Sequence, residues 1–575
     1  MTSNGAILAM LAELARLTAL DEGSLQSFKV RAYENAIHGL EGHPDQVASL
    51  NKAELVKIKG VGASIAAKIR EYVETGQVAK LNELAARYPP SFVELMKIPG
   101  LGPKTLKLIR AELGVEDLEG LKVAVAEEKL RELPGLGAQS EEKIARAIER
   151  LGLHGKDRRT PIAEALPVAE TLASELASLP GVEAATVCGS LRRLAETIGD
   201  VDIVVASTDP APVMAAVASH PRATEVIGSG ETKTSILTRG GLQVDVRVVT
   251  PDQYGSALLY FTGSKAHNVA LRQRAIDRGW LLSEYGLFDG EQVVAAASEE
   301  AIYQSLELQT IPPPMRENSG EIQAASRGEL PLLTLDDIKG DLHYHSDRSG
   351  DGRSTLEEMV AAAANRGYRY VALTEHGENL AINGSSRQEM LAHRERIDEV
   401  AAEYPNLTVL FGCELNIGPD GSLDYDPDFR LQFDWCVASV HSHFDLPPEQ
   451  QTARLLRAIA DPAVNAVGHL TGRYIGRRPG IELEVEAVLD GLAASGVALE
   501  INGALDRLDA SAEVVRKAAA RGVKLVISTD SHHVSDLRRM AYGVANAQRG
   551  WASAEDVVNT MNTDGFLRFV RSRRD

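Results

Sequence analysis

Three aspartates on two strand-like segments are the side chains best placed to hold metal ions beside a phosphate. Asp200 and Asp202 are one residue apart in a predicted strand, so both carboxylates point to one face. Asp245 lies in a second predicted strand. Converging carboxylates repel unless a cation joins them, and Mg²⁺ that bridges substrate phosphates is the natural cation. Two such ions about 3.5–4 Å apart would clamp the attacking and leaving oxygens of an in-line phosphoryl transfer.

A glycine-serine turn precedes this pair and adds anion-binding groups. Gly189 and Ser190 offer a flexible turn with a hydroxyl, and Arg193 can hold a phosphate. A lone aspartate is more often a solvated surface group, whereas Gly-Ser followed by Asp-x-Asp is far more specific. Strand-like segments alternate with helical stretches in this region, which predicts an α+β domain.

Histidines and acids recur in the last 235 residues, which hold nine of the fourteen histidines. Apolar strands and helices alternate from residue 340 onward, which predicts a parallel sheet closed as a barrel. The polar side chains lie at or just after the carboxyl ends of the strands, where barrel active sites assemble. Mixed imidazole and carboxylate ligands suit Zn, Mn or Fe better than Ca or Mg alone. These side chains are His343, His345, His376, Glu414, His441, His469, Asp530 and His532.

Three glycine-containing repeats lie in the first 150 residues, each followed by an amphipathic stretch. Two glycines permit a tight turn, so that free backbone N–H groups and a helix dipole can face a phosphate. One copy could be a plain helix–helix turn, but three copies with matching flanks favour the helix-hairpin-helix motif, which grips a nucleic-acid backbone without reading sequence. The glycine pairs are Gly60 and Gly62, Gly100 and Gly102, and Gly135 and Gly137.

Composition sets the class of protein. A chain of 575 residues with 44% hydrophobic and 25% charged residues predicts a soluble protein of several domains. Three cysteines cannot form a disulfide framework, and no apolar run is long enough to span a membrane, so we expect a cytoplasmic protein. The net charge of −20 does not exclude a nucleic-acid partner, because residues 1–150 are almost balanced, with 20 basic and 21 acidic side chains.

The aspartates, the Gly-Ser turn and a second patch, Tyr260 to Ser264 with Asn268 and Arg272, resemble the family X DNA polymerases, whose best-known member is eukaryotic DNA polymerase beta. The resemblance covers roughly residues 1–310. It implies a nucleotidyltransferase palm and thumb in which Asp200, Asp202 and Asp245 hold two Mg²⁺ or Mn²⁺ ions, with Asp245 drawing the proton from the primer 3′ hydroxyl. It assigns nucleotide binding to Gly189, Ser190, Arg193, Gly199, Tyr260, Phe261, Gly263 and Asn268, and DNA binding to Arg272.

Several positions depart from that family's pattern. Lys265 replaces an acidic residue, so the contact with the incoming base should differ, and Gln243 replaces an arginine that orients the third aspartate. Lys68 matches the Schiff-base lysine of the eukaryotic 5′-deoxyribose-phosphate lyase, and Ser64 stands where a supporting lysine would be. Lys68 is therefore either a lyase nucleophile, which needs a depressed pKa, or a lysine that contacts phosphate.

The C-terminal histidines resemble a PHP (polymerase and histidinol phosphatase) domain, a distorted seven-strand (β/α)7 barrel with up to three Mn²⁺, Zn²⁺ or Fe²⁺ ions. Its nine ligands map onto the eight side chains given above and Asp351, with Asp347 as a competitor because that loop is one residue longer than usual. Glu375 replaces the usual aspartate before His376. His443 and His533 are substrate-facing or plain surface residues, and Arg473 is a candidate phosphate contact.

Together these resemblances imply a bacterial or archaeal family X polymerase that fills short gaps in DNA repair and carries a metal-dependent 3′→5′ exonuclease or 3′-end-processing barrel. Its expected partners are gapped or primer-template DNA and dNTPs, its expected pathway is base excision repair, and its expected state is a monomer. The alternatives are a DNA 3′-phosphatase or abasic endonuclease whose palm only positions DNA, and a DNA-end scaffold with structural metals. The expected domains are a helix-hairpin-helix region (1–150), a palm with nucleotide-selection subdomain (151–310), a proline-containing linker (311–339) and the barrel (340–575). Three consecutive prolines, Pro312 to Pro314, favour an extended spacer in the linker.

Overall fold

The structure is a computed structural model. It describes residues 4–25, 27–40, 47–98, 100–153, 159–380 and 383–572. Pro99 of the second glycine repeat lies outside the described residues. The chain forms two compact units, Met1–Arg158 and Arg159–Asp575. Within the described ranges, no helix has both the length and the apolar character needed to cross a lipid bilayer.

The first unit is helical, as predicted. Its core is built from buried residues such as Leu11, Leu84 and Ile109. The helices within the described residues are α1 (Asn4–Glu22), α2 (Phe28–Leu40), α3 (Lys52–Leu55), α4 (Ala63–Thr75), α5 (Ala79–Arg87), α6 (Pro90–Glu94), α7 (Pro103–Leu113), α8 (Leu118–Ala126) and α9 (Ala138–Leu153).

The three glycine repeats adopt the same turn. In each, the first glycine has a positive φ, +91° at Gly60, +93° at Gly100 and +84° at Gly135. The next amide donates to the carbonyl three residues earlier, at 3.0 Å in all three copies. A Cβ on the second glycine, Gly62, Gly102 or Gly137, would meet no atom within 4 Å. The amino ends of α4, α7 and α9 are therefore open, which suits a backbone phosphate.

The second unit begins with an α+β palm. Its sheet has the strand order β2-β4-β7-β6-β5, and β4 and β7 are parallel neighbours. The helices bury Leu172 and Val213 against it. The elements are β1 (Thr160–Pro161), α10 (Ile162–Ala177), β2 (Val182–Val187), α11 (Gly189–Arg192), β3 (Thr197–Ile198), β4 (Asp200–Ser207), α12 (Pro210–Ala218), β5 (Ala223–Ser229), β6 (Lys233–Thr238) and β7 (Gln243–Val249).

A smaller subdomain with a three-stranded antiparallel sheet, β10-β9-β8, follows the palm. Its elements are α13 (Tyr254–Thr262), α14 (Lys265–Ile276), β8 (Leu281–Ser283), β9 (Gly286–Asp289), β10 (Gln292–Ala295), α15 (Glu299–Ser305) and α16 (Glu321–Arg327).

The proline-containing segment differs from the extended spacer that its composition predicts. Ile311 and Met315 are buried in the core of the small subdomain. Pro313–Met315 forms a 3-10 turn, and the buried Arg316 donates to Glu299. Ile311, Met315 and Arg316 therefore hold the segment against the small subdomain. The prolines alone do not indicate these contacts.

The last part of the chain is a seven-stranded parallel barrel with its strands in sequence order, as predicted. Its elements are β11 (Gly340–Tyr344), α17 (Leu356–Asn365), β12 (Tyr370–His376), α18 (Arg387–Ala401), β13 (Thr408–Asn416), α19 (Pro427–Arg430), β14 (Trp435–Ser439), α20 (Pro448–Ile459), β15 (Ala466–Val467), α21 (Val485–Ser495), β16 (Ala498–Asn502), α22 (Ala512–Ala520), β17 (Leu525–Ser528), α23 (Met540–Arg549) and α24 (Thr563–Arg571).

The first strand closes the barrel against the segment that follows the last strand. The amide of Asp530 donates to the carbonyl of His343 at 2.9 Å, and the amide of His345 donates to that of Ser531 at 2.8 Å. Since these bonds join residues almost 190 positions apart, they bring side chains from both ends of the barrel sequence to one rim.

The opposite end of the barrel is apolar. Phe566 of α24 is fully buried and stacks on Tyr370 at 4.1 Å between ring centroids, with Trp435 at 5.7 Å. These rings join Leu342 and Val526 in one cluster. The C-terminal helix therefore seals the barrel at the end away from the histidines.

Phe566→Ala should destabilise the barrel by about 3–5 kcal/mol, because it removes a buried ring and leaves a cavity. The measurement is the transition temperature of the barrel in differential scanning calorimetry. Arg568→Ala, at an exposed position of the same helix, is the control and should change the stability little. Equal transition temperatures for the two variants would contradict the role of Phe566 as a seal.

Candidate active sites

The palm brings the three predicted aspartates together. Asp202 of β4 and Asp245 of β7 are direct partners in the parallel register, and Asp200 is the partner of Gln243. A Cβ on Gly189 would lie 2.5 Å from Oδ2 of Asp202. Gly189 therefore has to be a glycine for the Gly-Ser turn to approach this carboxylate.

Asp245 is held by two donors. Lys233 Nζ lies 2.8 Å from its Oδ2, and Gln243 Nε2 lies 2.8 Å from its Oδ1. Burial raises the pKa of Asp245, but these hydrogen bonds outweigh burial and hold that pKa below its ordinary value. Gln243 thus orients the third aspartate although it is not an arginine. Lys233 supplies a positive charge at Oδ2 of Asp245.

The predicted triphosphate-binding residues surround the same end of β4. Arg193 donates from Nη1 to the carbonyl of Thr262 at 2.5 Å, and a Cβ on Gly263 would lie 3.3 Å from that nitrogen. Ser190 lies in α11, and Gly199 directly precedes β4. The Gly-Ser turn and the Gly263 turn therefore meet at Arg193.

Three predicted nucleotide- and DNA-binding residues lie together on α13 and α14. Tyr260, Asn268 and Arg272 line one small depression, and Asn268 Nδ2 donates to the Tyr260 carbonyl at 2.7 Å. Phe261 packs edge-on against Tyr260 and lies under the Arg247 guanidinium at 4.7 Å. These contacts fix the aromatic pair, and Tyr260 remains 37% exposed to solvent.

The barrel rim brings all nine predicted ligands together, with Glu414 at the centre. Its Oε1 lies 3.1 Å from His441 Nε2 and 3.0 Å from His469 Nε2, and its Oε2 lies 2.9 Å from His376 Nδ1. Three overlapping groups have ligand atoms within 4.8 Å of one another, and each could hold an ion. They are His345, His376 and His532; His343, His345 and Asp530; and His376, Glu414 and His441.

The structure distinguishes between the two candidate aspartates of the loop after β11. Asp351 Oδ2 lies 3.5 Å from His376 Nε2 and 3.4 Å from His532 Nε2. Asp347 is exposed and has no recorded contact with the cluster in the described part of the chain. Asp351 therefore completes the first of the three groups.

Two buried glutamates hold the histidine-bearing segments, and sequence analysis gave neither of them a role. Glu500 lies 2.5 Å from His343 Nδ1 and accepts from the amide of His469. Glu375 accepts from the hydroxyls of Ser346 and Ser349, both at 2.6 Å. Such acids fix the ring orientation of metal-binding histidines. A carboxylate within a buried barrel strand marks both positions, but the sequence does not show which residues each one contacts.

The donor set fits divalent metal ions. His343 Nε2 and His345 Nε2 are buried and make no hydrogen bond in the described part of the chain. Burial lowers the pKa of His376, but Glu414 and Asp351 outweigh burial and raise that pKa to about 10. The carboxylates thus draw positive charge to the cluster, and metal ions supply such charge when they replace protons on these ligands.

The remaining predicted residues, two histidines, an arginine and a lysine, make their hydrogen bonds to residues other than the nine ligands. Arg473 contacts the palm through Glu196 at 2.8 Å. His443 bonds to Ser442 and His533 to Ser535, each through Nδ1. Lys68 Nζ donates to the Ser64 hydroxyl at 2.9 Å, and its lyase role stays a prediction.

Family models match four regions of the chain. They are a helix-hairpin-helix domain over residues 2–78, a SAM-like helix-hairpin-helix tandem over 92–150, a DNA polymerase beta thumb over 257–317 and a PHP domain over 341–504. The DNA polymerase/3′-5′ exonuclease PolX of Bacillus subtilis is 36% identical over 550 residues, which cover 95% of both chains. The chain belongs to the PolX family. The expected combination of family X polymerase and PHP barrel is confirmed.

Shorter relatives match only part of the PolX chain. A "probable phosphatase" of Caldicellulosiruptor saccharolyticus is 28% identical over 41% of this chain and 96% of its own length. Another, from Clostridium acetobutylicum, is 29% identical over 33% of this chain and 78% of its own. The metal dependence of PHP domains agrees with the histidine and carboxylate groups at the barrel rim.

Asp351→Asn should reduce the metal content of the chain by about one ion, because it leaves two imidazoles without their carboxylate. The metal bound per chain is measured by inductively coupled plasma mass spectrometry after loading with Mn²⁺ and gel filtration. Asp347→Asn is the matched control, with the same change four residues away, and should retain the parent content. A loss in Asp347→Asn but not in Asp351→Asn would reverse the assignment.

Proposed function

We propose that this chain is a DNA-directed DNA polymerase that fills short gaps in DNA repair and removes nucleotides or blocking groups from 3′ ends in its barrel. The observation that carries the proposal is that one PolX-family chain contains the three palm aspartates, the histidine and carboxylate cluster of the barrel and the helix-hairpin-helix turns. The relative from Bacillus subtilis is named for both activities, and its alignment with this chain covers 95% of its length.

In the palm, Asp200, Asp202 and Asp245 would hold two Mg²⁺ or Mn²⁺ ions, which when bound neutralise phosphate charge and acidify the attacking hydroxyl. Asp245 accepts the proton of the primer 3′ hydroxyl, since Lys233 and Gln243 keep its carboxylate ionised and oriented. Ser190 and Arg193 bind the triphosphate of the incoming dNTP. Template pairing supplies the choice of base, and the glycine turns bind the backbone.

In the barrel, the nine clustered side chains would hold up to three Mn²⁺, Zn²⁺ or Fe²⁺ ions, which when bound activate a water molecule and polarise a phosphate. Glu500 and Glu375 orient His343 and His345 for that task. The substrate we infer is a phosphoester at a DNA 3′ end, either the diester of the last nucleotide or a blocking 3′-phosphate, because a blocked or mispaired end must be processed before it is extended.

The proposal places the protein in base excision repair as a cytoplasmic monomer. Its three cysteines are all free and buried, as expected in a reducing compartment. The alternative is a phosphatase or abasic endonuclease whose palm only positions DNA, and the shorter phosphatase-named relatives are the observation that favours it.

Asp200→Ala should abolish extension of the primer on a one-nucleotide-gapped duplex and leave 3′ degradation intact. His343→Ala should do the reverse, because the two clusters consist of different side chains. Both variants and the parent are compared on one labelled substrate with dNTPs and Mg²⁺ or Mn²⁺. Extension by Asp200→Ala at the parent rate would refute the polymerase assignment.

The barrel also supports the nucleotide site. Arg549 of α23 donates from Nη1 to the Arg193 carbonyl at 2.9 Å and to Glu317 Oε1 at 2.7 Å. The same Glu317 oxygen accepts from Arg193 Nε at 3.1 Å. Arg549 therefore fixes both the backbone and, through Glu317, the guanidinium of Arg193.

Arg549→Met should raise the KM for dNTP about 3- to 10-fold with a smaller change in kcat, because Arg193 loses two of its supports. Steady-state extension of gapped DNA measures both constants. Arg516→Met is the control, since Arg516 stacks on Trp551 at 4.6 Å and donates to Ser319 without touching Arg193. An unchanged KM in Arg549→Met would contradict this support.

A further inference from the structure

Arg507, between β16 and α22, lies beside the metal-ligand cluster and has no role in the proposal so far. Its Nε is 3.7 Å from Oδ2 of Asp530, and its side chain is 13% exposed. The other Asp530 oxygen, Oδ1, faces the histidines, at 3.6 Å from His345 Nε2. Asp530 thus separates the guanidinium from the imidazoles, so that one carboxylate touches both.

The position of Arg507 is fixed from several sides. Its guanidinium lies over the ring of Tyr474 at 4.3 Å, and Nη2 donates to the Tyr474 hydroxyl at 2.8 Å. The other side of the stack continues with Arg478, 4.7 Å from the Tyr474 centroid and 4.0 Å from that of Phe444. The backbone carbonyl of Arg507 accepts from Arg473 Nε at 2.8 Å.

Besides Nε, which stays 3.7 Å from Asp530, a further nitrogen of this rigid arginine lacks a hydrogen bond. Nη1 of Arg507 is shielded from solvent and makes no hydrogen bond in the described part of the chain. An unsatisfied buried donor on a charged group costs free energy, and an anion that accepts from Nη1 would remove that cost.

Neutralisation of Asp530 alone does not account for this arrangement. Oδ2 of Asp530 already accepts from Asn502 Nδ2 at 3.1 Å, whereas Arg507 Nε stays beyond hydrogen-bond distance at 3.7 Å. A permanent cation next to a metal cluster also repels the metals. It becomes favourable when an anion binds there, and arginine is the side chain best suited to bind phosphate oxygens in pairs.

We infer that Arg507 binds the phosphate of the substrate in the barrel site. This inference rests on the proposed phosphoesterase function and adds a residue that recognises the leaving or scissile phosphate by its charge and oxygens. Arg473, the arginine that sequence analysis favoured for this contact, instead bonds to Glu196 of the palm and to the Arg507 carbonyl. It is a support of Arg507.

The test uses the full-length chain loaded with Mn²⁺ and compares Arg507→Gln and Arg507→Lys with the parent. The probe is inorganic phosphate, and its dissociation constant is measured by isothermal titration calorimetry. Arg507→Gln should weaken phosphate binding about 10- to 100-fold, as expected for a charge-assisted hydrogen-bond pair, and lower kcat/KM on 3′-phosphorylated DNA to a similar extent. Arg507→Lys should lose less, because it keeps the charge but not the fork.

Arg477→Gln is the matched control. It removes the same charge from an exposed position near Arg478 and should change both constants less than about twofold. Bound manganese per chain is measured for every variant and should equal that of the parent. If Arg507→Gln fails to fold, the phosphate affinity of Arg507→Lys decides.

Three results would overturn the inference: no phosphate binding by the parent, unchanged phosphate affinity in Arg507→Gln, or a loss of manganese in both Arg507 variants, which would make the arginine a support of Asp530. A parent that binds phosphate through Arg507 but cleaves no phosphoester would refute the proposed barrel function and leave the inference standing. If Arg507→Gln cleaves DNA and binds phosphate as the parent does, the inference fails and the proposed barrel function stands.

Discussion

Carboxylates forced into a small volume repel one another, and both sites of this chain are built around that repulsion. In the palm, Asp245 is stabilised by an ammonium group and an amide from neighbouring strand positions, Lys233 and Gln243. In the barrel, Glu414 is surrounded by imidazoles at about hydrogen-bond distance. Each site therefore favours added positive charge, and each acts on a substrate that is itself a polyanion. Metal ions meet both requirements at once, since they neutralise the protein's acids and the substrate's phosphates.

The folds differ in how they bring those acids together. In the palm, the parallel register of β4 and β7 places Asp202 beside Asp245, and only two strands are needed. In the barrel, the ligands come from several strand ends, and closure between His343 and Asp530 is required before the cluster exists. The apolar seal at Phe566 and the polar rim thus lie at opposite ends of the same strands. The barrel cluster accordingly depends on global closure, whereas the palm cluster depends on local pairing.

Much of the fold could be predicted from the sequence, because helices and strands depend on residues that are close together along the chain. The alternation of strands and helices after residue 340 is an example, since helices Leu356–Asn365 and Ala512–Ala520 carry their own hydroxyl caps, Thr355 and Ser511. The roles of Glu500, Glu375 and Arg507 could not be predicted, because they arise from contacts between distant strands and loops. The segment after Ile311 was misjudged because its burial depends on the subdomain core and on Glu299 rather than on its prolines.

The two sites share one unit, and α23 explains why they are physically related. The 3-10 turn before this helix ends at Arg539, whose Nη1 donates to the Asp530 carbonyl at 3.1 Å, and the helix ends at Arg549, which holds Arg193. The turn and the helix therefore contact the Asp530 segment of the barrel at one end and Arg193 of the palm at the other. Hydrogen bonds thus link the two sites within one compact unit. The barrel carries its own cluster and also holds in place the palm arginine that is predicted to bind the triphosphate.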